Sequence, residues 1–256
     1  MTKRARGFEP MILRFASLPS TNTEAARQAA SGAREGLCIV AREQTAGRGR
    51  QQRVWLSPAG AGLYLSILLR PRLPLPEWPL ITLMSSLAVA DALREACALV
   101  VDIKWPNDIY ARGRKLCGIL AETVETAAGR ACVVGIGINL NDRAFPPEIQ
   151  EIATSIEALG APPDAELILP SLVRAIERRY RALHEAEGAQ AMLIEWTARS
   201  SYAAGRRVRV HLGDETLDGI TRGLEADGAL RVETDAGEIR IIRAGDVAAL
   251  RARSNT

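Results

Sequence analysis

The stretch VVDIKWPNDIYARGRKLCGILAETVETAAGRACVVGIGINL, Val100 to Leu140, decides the fold class. Three apolar runs lie in it, Val100 to Lys104, Gly118 to Thr123 and Ala131 to Leu140. The turn signals Arg112-Gly113-Arg114 and Ala128-Gly129-Arg130 separate them, so they read as successive strands. Upstream, Leu37 to Arg42 and Leu63 to Leu69 are further runs of strand length. The polar, glycine-bearing stretch Gln44 to Arg53 between them reads as a loop. Helices are predicted among the strands. Leu80, Leu83, Leu87, Ala90, Leu93 and Ala96 recur at helical spacing over Pro79 to Ala98. Thr21-Asn22-Thr23-Glu24 has capping-box spacing ahead of an Ala-rich helix to Ala30. Asp164 to Glu187 reads as an amphipathic helix and Gln190 to Ser200 as a shorter one. This is an α+β chain.

After Gly205 the texture changes. RVRVHL, ETLDGITRGL, ALRVET and EIRIIR are short alternating runs, punctuated by Gly213-Asp214, Asp227-Gly228 and Ala236-Gly237. Short strands joined by tight turns fit a small barrel. A boundary near Ala203 to Gly205 divides the chain into residues 1–204 and 205–256.

Bulk properties exclude several classes. With 256 residues, 47% hydrophobic and 25% charged, the composition is that of a globular protein. A net charge of only +3 argues against nucleic acid or an anionic membrane as the main partner. No run approaches a membrane span, and no apolar stretch for a signal peptide follows the basic start. Cys38, Cys97, Cys117 and Cys132 lie far apart without a CxxC pair. They read as reduced thiols in a cytoplasmic protein. With only His184 and His211 to add, no structural zinc site is expected.

Three segments carry chemistry. In GRGRQQRVW, Gly47 and Gly49 allow close backbone approach, and Arg48, Arg50 and Arg53 suit carboxylate or phosphate oxygens. A bare RGR triplet is more often a solvated basic loop. GxGxxG fails at Gln52, and no GxxxxGK[ST] loop exists. KWPNDIY, Lys104 to Tyr110, gathers a lysine, an amide and a carboxylate at a strand end, with Lys115 across the next turn. Pro-Asn-Asp alone would be ordinary turn composition. GIGINLN, Gly135 to Asn141, reads as a buried strand whose glycines make room for something flat. Asn139 there could pair with a nucleobase edge.

In this order and spacing the segments resemble the biotin–protein ligase family. STN (Ser20 to Asn22), EQTAGRGR, SPAGAGLYLSI, RKLCGILAE and FPPEIQEIATSI agree with it. The resemblance covers about Ser20 to the terminal barrel. It implies a mixed sheet with flanking helices, related to class II aminoacyl-tRNA synthetases, followed by an SH3-like barrel. The implied activity is ATP-dependent activation of biotin to biotinyl-adenylate, then transfer to a lysine of a biotin carboxyl carrier protein of acetyl-CoA carboxylase or a related carboxylase. Ser20, Thr21, Asn22, Gln44, Arg48, Gly49, Arg50, Lys115 and Gly118 would hold biotin. Arg53, Trp55, Lys104, Asn107 and Asn139 would surround ATP, with Mg²⁺ bridging the phosphates. Lys115, Arg50 and Lys104 are the implied catalytic residues, Lys115 meeting the biotin carboxylate. No metal ligand is assigned, and a homodimer is left open.

Two departures stand out. Gln52 replaces a glycine usual in the family's GRGRxGRxW loop. Regulatory members carry an N-terminal DNA-binding helix-turn-helix, and the short start here implies the non-regulatory class with no DNA partner. The rival readings are a lipoate–protein ligase of the same fold and a non-enzymatic carrier-docking or nucleic-acid adaptor built on the barrel.

Overall fold

The structure, a computed structural model, describes residues 8–213 and 215–250. The basic start, Asp214 of the Gly213-Asp214 turn signal and residues 251–256 lie outside the described residues. Chain order begins β1 (Met11–Phe15), α1 (Thr21–Ala30), β2 (Leu37–Ala41), β3 (Gly62–Leu69) and α2 (Pro79–Cys97). Then come β4 (Asp102–Lys104), β5 (Asp108–Ala111), β6 (Arg114–Thr126) and β7 (Gly129–Asn139). Three helices follow, α3 (Pro147–Gln150), α4 (Ala165–Leu183) and α5 (Gly188–Ala198).

The first seven strands form one sheet in the order β1-β2-β3-β7-β6-β5-β4. β1 runs parallel to β2, and every other pair is antiparallel, so the sheet is mixed as expected. Both faces are covered, which is why β2 and β3 are buried at every position and read as continuous apolar runs. Side chains alternate between the faces. Cys38, Val40, Leu63, Leu65, Ile67 and Leu69 join the main core with α2 and α4. Leu37, Ile39, Leu68, Ala131 and Val133 pack under Ala25 and Ala29 of α1.

Helix ends follow local chemistry. Pro79 opens α2 at a position where its missing N–H costs nothing. Asp164 caps α4, its carboxylate accepting from Glu166 N at 2.8 Å. α4 stops at Leu183, short of the Glu187 read from the sequence, and Glu187 takes a left-handed φ of 60° ahead of α5.

The capping box at Thr21 does not form. Ser20 is the capping residue, extended at φ −159°, with no side-chain cap bond. Glu24 instead binds Arg27 and Gln28. Thr21 and Asn22 are buried and turned toward a cavity, so their side chains serve that cavity instead of the helix end.

A second, antiparallel sheet follows: β8 (Ala204–Leu212), β9 (Glu215–Leu224), β10 (Leu230–Thr234), β11 (Ile239–Ile242) and β12 (Asp246–Ala249), in the order β11-β10-β9-β8-β12. Val208, Val210, Leu230, Val232, Ile242 and Val247 continue the main core into it. Trp105 fastens the two sheets, its buried indole N–H donating to Gly228 O at 3.0 Å. Among the described residues no helix is long and apolar enough to cross a membrane.

Candidate active site

A cavity of about 370 Å³ lies over the sheet, between the start of α1, the loop from Gln44 to Leu56, the segment Phe145 to Ala153 and residues Asp246 and Val247 of β12. All fourteen of the site residues named from the sequence line it, from Ser20, Thr21 and Asn22 to Lys115, Gly118 and Asn139.

One end is a polar network. Gln44 Oε1 accepts from Thr21 N at 2.8 Å, and Gln44 Nε2 donates to Ser57 Oγ at 2.9 Å, which fixes the amide's orientation. Ser66 Oγ lies 2.7 Å from Thr21 Oγ1 and donates to Asn22 Oδ1 at 2.6 Å. Asn22 Nδ2 donates to Glu122 Oε2 at 2.6 Å. Glu122 also accepts from Arg48 at 2.8 Å, tying the loop to β6. Gly135 is required beside this network, because a Cβ there would collide with the Asn22 amide.

The other end is cationic. Lys115 lies in β6, just past the Arg112-Gly113-Arg114 turn. Its N–H donates to Ile152 O and its carbonyl accepts from Thr154 N, both at 2.9 Å. Its Nζ sits 2.7 Å from Asp108 Oδ1, an ion pair across β5 and β6, and 5.4 Å from the centre of the Trp55 ring. Lys104 Nζ donates to the Tyr110 hydroxyl at 3.0 Å. Asn107 Nδ2 donates to Ile119 O at 2.7 Å, leaving Oδ1 to accept from Arg50 at 3.2 Å. Burial pulls the Arg50 guanidinium below its usual range, opposed by Asp246 and Asp108. It remains charged, since arginine starts far above neutrality.

The glycines of β6 and β7 do make room for something flat, and that object is the protein's own Trp55. Gly118 and Gly137 pair across the two strands, and the indole lies on both. A Cβ on Gly137 would strike Trp55 Nε1, and one on Gly118 would come within 3.0 Å of the ring. Asn139 is anchored through its amide nitrogen. Its amide N–H groups donate to Thr154 O at 3.0 Å and Lys115 O at 3.5 Å, so they hold the Ile149-to-Ser155 segment over the site.

The chain matches the Biotin/lipoate A/B protein ligase family over residues 14–139 and the Biotin protein ligase C terminal domain over residues 204–249. It is 37% identical over 239 residues to a biotin--[acetyl-CoA-carboxylase] ligase of Mycobacterium tuberculosis, spanning 91% of this chain and 86% of that protein. The chain belongs to the biotin protein ligase family. A bifunctional ligase/repressor BirA of Bacillus subtilis is 38% identical over 236 residues, 90% of this chain and 71% of that protein. The biotin protein ligase of Aquifex aeolicus, solved in complex with biotin and ATP, superposes with a TM-score of 0.79 at 31% identity. That match covers 94% of this chain and 99% of that one.

At Gln52, where the resemblance led one to expect a glycine, the backbone takes a glycine-like conformation. Gln51 and Gln52 both adopt left-handed φ, 53° and 60°. A left-handed side-chain-bearing residue costs roughly 1–2 kcal/mol, partly offset by the extra freedom a glycine has when disordered. Gln52→Gly is therefore expected to favour the ordered loop by about 0.5–1 kcal/mol. Trypsin should then cut at Arg48, Arg50 and Arg53 roughly two- to fivefold more slowly than in the parent. Unchanged or faster cleavage would show that the glycine's freedom dominates.

Four lining or supporting residues escaped the sequence reading: Ser66, Tyr110, Glu122 and Asp246. Ser66 was visible as the one polar residue inside the apolar run Leu63 to Leu69. Glu122 and Asp246 had no local signal, because their partners lie 74 and 193 residues away.

Proposed function

We propose that this cavity holds biotin at the Thr21–Asn22–Gln44 end and ATP at the Lys104–Lys115 end, joins them as biotinyl-adenylate, and passes biotin to a lysine of a carrier protein. The observation that carries this reading is the meeting of the two ends in one cavity: an oriented amide and hydroxyl network suited to a neutral polar ring system, adjoining fixed cations. Residues 1–204 would form the catalytic unit and 205–256 the terminal barrel.

The first step brings a carboxylate oxygen onto the α-phosphorus while the bond to pyrophosphate breaks. Repulsion between anions is its main obstacle, so preorganised cations supply the catalysis. Lys115 stands where the two reactants meet, between the Gly118 backbone and Asp108. Arg50 and Lys104 add positive charge on the nucleotide side, while Phe145, Ile149 and Ile152 offer an apolar wall for the base. Arg48, Arg50 and Arg53, ordering the loop over the cavity, would then help exclude water from the mixed anhydride. In the second step a neutral carrier amine attacks the acyl carbon, AMP departs, and the enzyme chiefly aligns the reactants.

Mg²⁺ would neutralise phosphate charge in this step. Among the described residues no three His, Cys, Asp or Glu side chains gather as a metal cage. The ion would accordingly be carried mainly by the nucleotide's phosphates, with Asp108 as the cavity carboxylate that could meet it. The carrier is assigned as a biotin carboxyl carrier protein. Four unpaired cysteines, three of them buried, support a cytoplasmic setting.

The barrel's charge pattern argues against the nucleic-acid adaptor. Among its described residues Arg207, Arg209, Arg222, Arg231, Arg240 and Arg243 each face an acidic partner, which weakens any basic stripe for a phosphate backbone. The lipoate reading is separated by assay. Biotin should drive ATP–pyrophosphate exchange strongly and lipoate far more weakly; exchange that follows lipoate and ignores biotin would overturn the assignment.

A further inference from the structure

The glycine-and-arginine loop does not close on the catalytic sheet alone. Arg48 is anchored to Glu122 on β6, but the far limb reaches the barrel. Arg53 forms an ion pair with Asp246, the first residue of β12, and also donates to Gln51 Oε1 at 3.2 Å. Arg50 donates to Gly245 O at 3.3 Å as well as to Asn107. The loop's own hydrogen bonds, Gly49 N to Arg53 O at 2.7 Å and Arg53 N to Arg50 O at 3.1 Å, make Arg50 and Arg53 one rigid turn. Whatever fixes Arg53 therefore fixes Arg50, whose head group borders the cavity.

We propose that Asp246 is a positioning residue for the first and second steps: through Arg53 it makes the barrel the second jaw of the loop that covers the intermediate. This rests on the adenylation reading above. Three features favour it over a purely packing role for the contact. Asp246 is only 28% exposed and lines the cavity, which none of the acids in the barrel's other ion pairs does. Asp246 is held opposite His211 by the pairing of β12 with β8, and Gly245 immediately precedes it, so the barrel fold sets the position of both. The barrel is in turn fixed to the site strand by Trp105. The loop thus closes on a surface whose distance from the cavity is predetermined.

A half-exposed ion pair gives a modest coupling, and losing one partner of such a contact acts mainly on dissociation. Asp246→Asn removes the charge at constant shape. It should raise the dissociation rate of preformed biotinyl-adenylate about fivefold and leave the KM for biotin in the exchange assay nearly unchanged. Asp246→Glu should recover part of the loss. The paired exchange Arg53→Asp with Asp246→Arg should retain adenylate better than either single variant. Asp235→Asn, which breaks the exposed pair with Arg207 on the same barrel, serves as the control and should retain adenylate like the parent. Parent-like retention in Asp246→Asn, or a double exchange no better than its singles, overturns the proposal. Equal leakage in Asp235→Asn also overturns it, by showing that any softening of the barrel suffices. A parent enzyme without biotin-dependent exchange would instead refute the ligase reading itself.

Discussion

Lys115→Ala is expected to slow formation of biotinyl-adenylate by roughly a hundredfold or more, the scale of losing one preorganised electrostatic contact. The side chain projects from β6 beside Gly118, at the junction of the polar and cationic ends. Its backbone is clamped on one side by Ile152 and Thr154 and on the other by its pairing with Tyr110. Its charge is therefore held in place before substrate arrives, as a preorganised contact requires. A lone lysine just past a turn could be truncated with little cost to folding. The strand position and the ion pair change that expectation. Removing the lysine leaves the Asp108 carboxylate, one oxygen of which is buried, without its cation. A stability loss of about 1–3 kcal/mol follows from such an orphaned group. Single-turnover kinetics should accordingly be run well below the variant's unfolding transition. Lys115→Ala with Asp108→Asn should regain much of the stability and none of the rate. A normal adenylation rate in the folded single variant would remove Lys115 from the chemistry.

Legibility from sequence varied with how local the signal was. The long apolar runs of β2, β3, β6 and β7 and the helices α2 and α4 were all readable, because burial on a fixed face imposes a period. β1 was missed. It is an edge strand with one neighbour and a largely exposed MILRF, so neither periodicity nor composition marks it. β5 was missed because Asp108–Ala111 is only four residues long and three of them belong to the KWPNDIY motif. The Thr21 error is of another kind. Two local rules competed for one hydroxyl, and the cavity won, because Ser66 of β3 and Gln44 of the loop reach it from positions remote in the chain. The motif residues of the site were legible as a set, whereas their connections were not. Nothing in the local pattern around Glu122 or Asp246 shows that each receives an arginine from the same loop.

That loop is where binding and retention of the intermediate should come apart. Arg50→Gly removes the donor to Asn107 Oδ1 and Gly245 O and adds backbone freedom to the open loop. Lys104 and Lys115 stand on β4 and β6, outside the loop, so adenylate should still form at a substantial rate. The covered, water-excluding state would be less populated, and the intermediate should leave faster. A charge-assisted contact of this kind lost together with backbone order is about 2 kcal/mol, which falling wholly on dissociation is roughly a thirtyfold faster escape. This exceeds the fivefold effect expected for Asp246→Asn because Arg50 borders the intermediate directly and the acid acts through Arg53. Released biotinyl-adenylate is a mixed anhydride and acylates any accessible neutral amine. Incubated with biotin, ATP and an unrelated lysine-rich protein, the variant should label that bystander heavily, while the parent labels it little. Equal bystander labelling by the two enzymes, with equal adenylate dissociation rates, would place Arg50 outside the cover and leave Arg48 and Arg53 to close the loop without it.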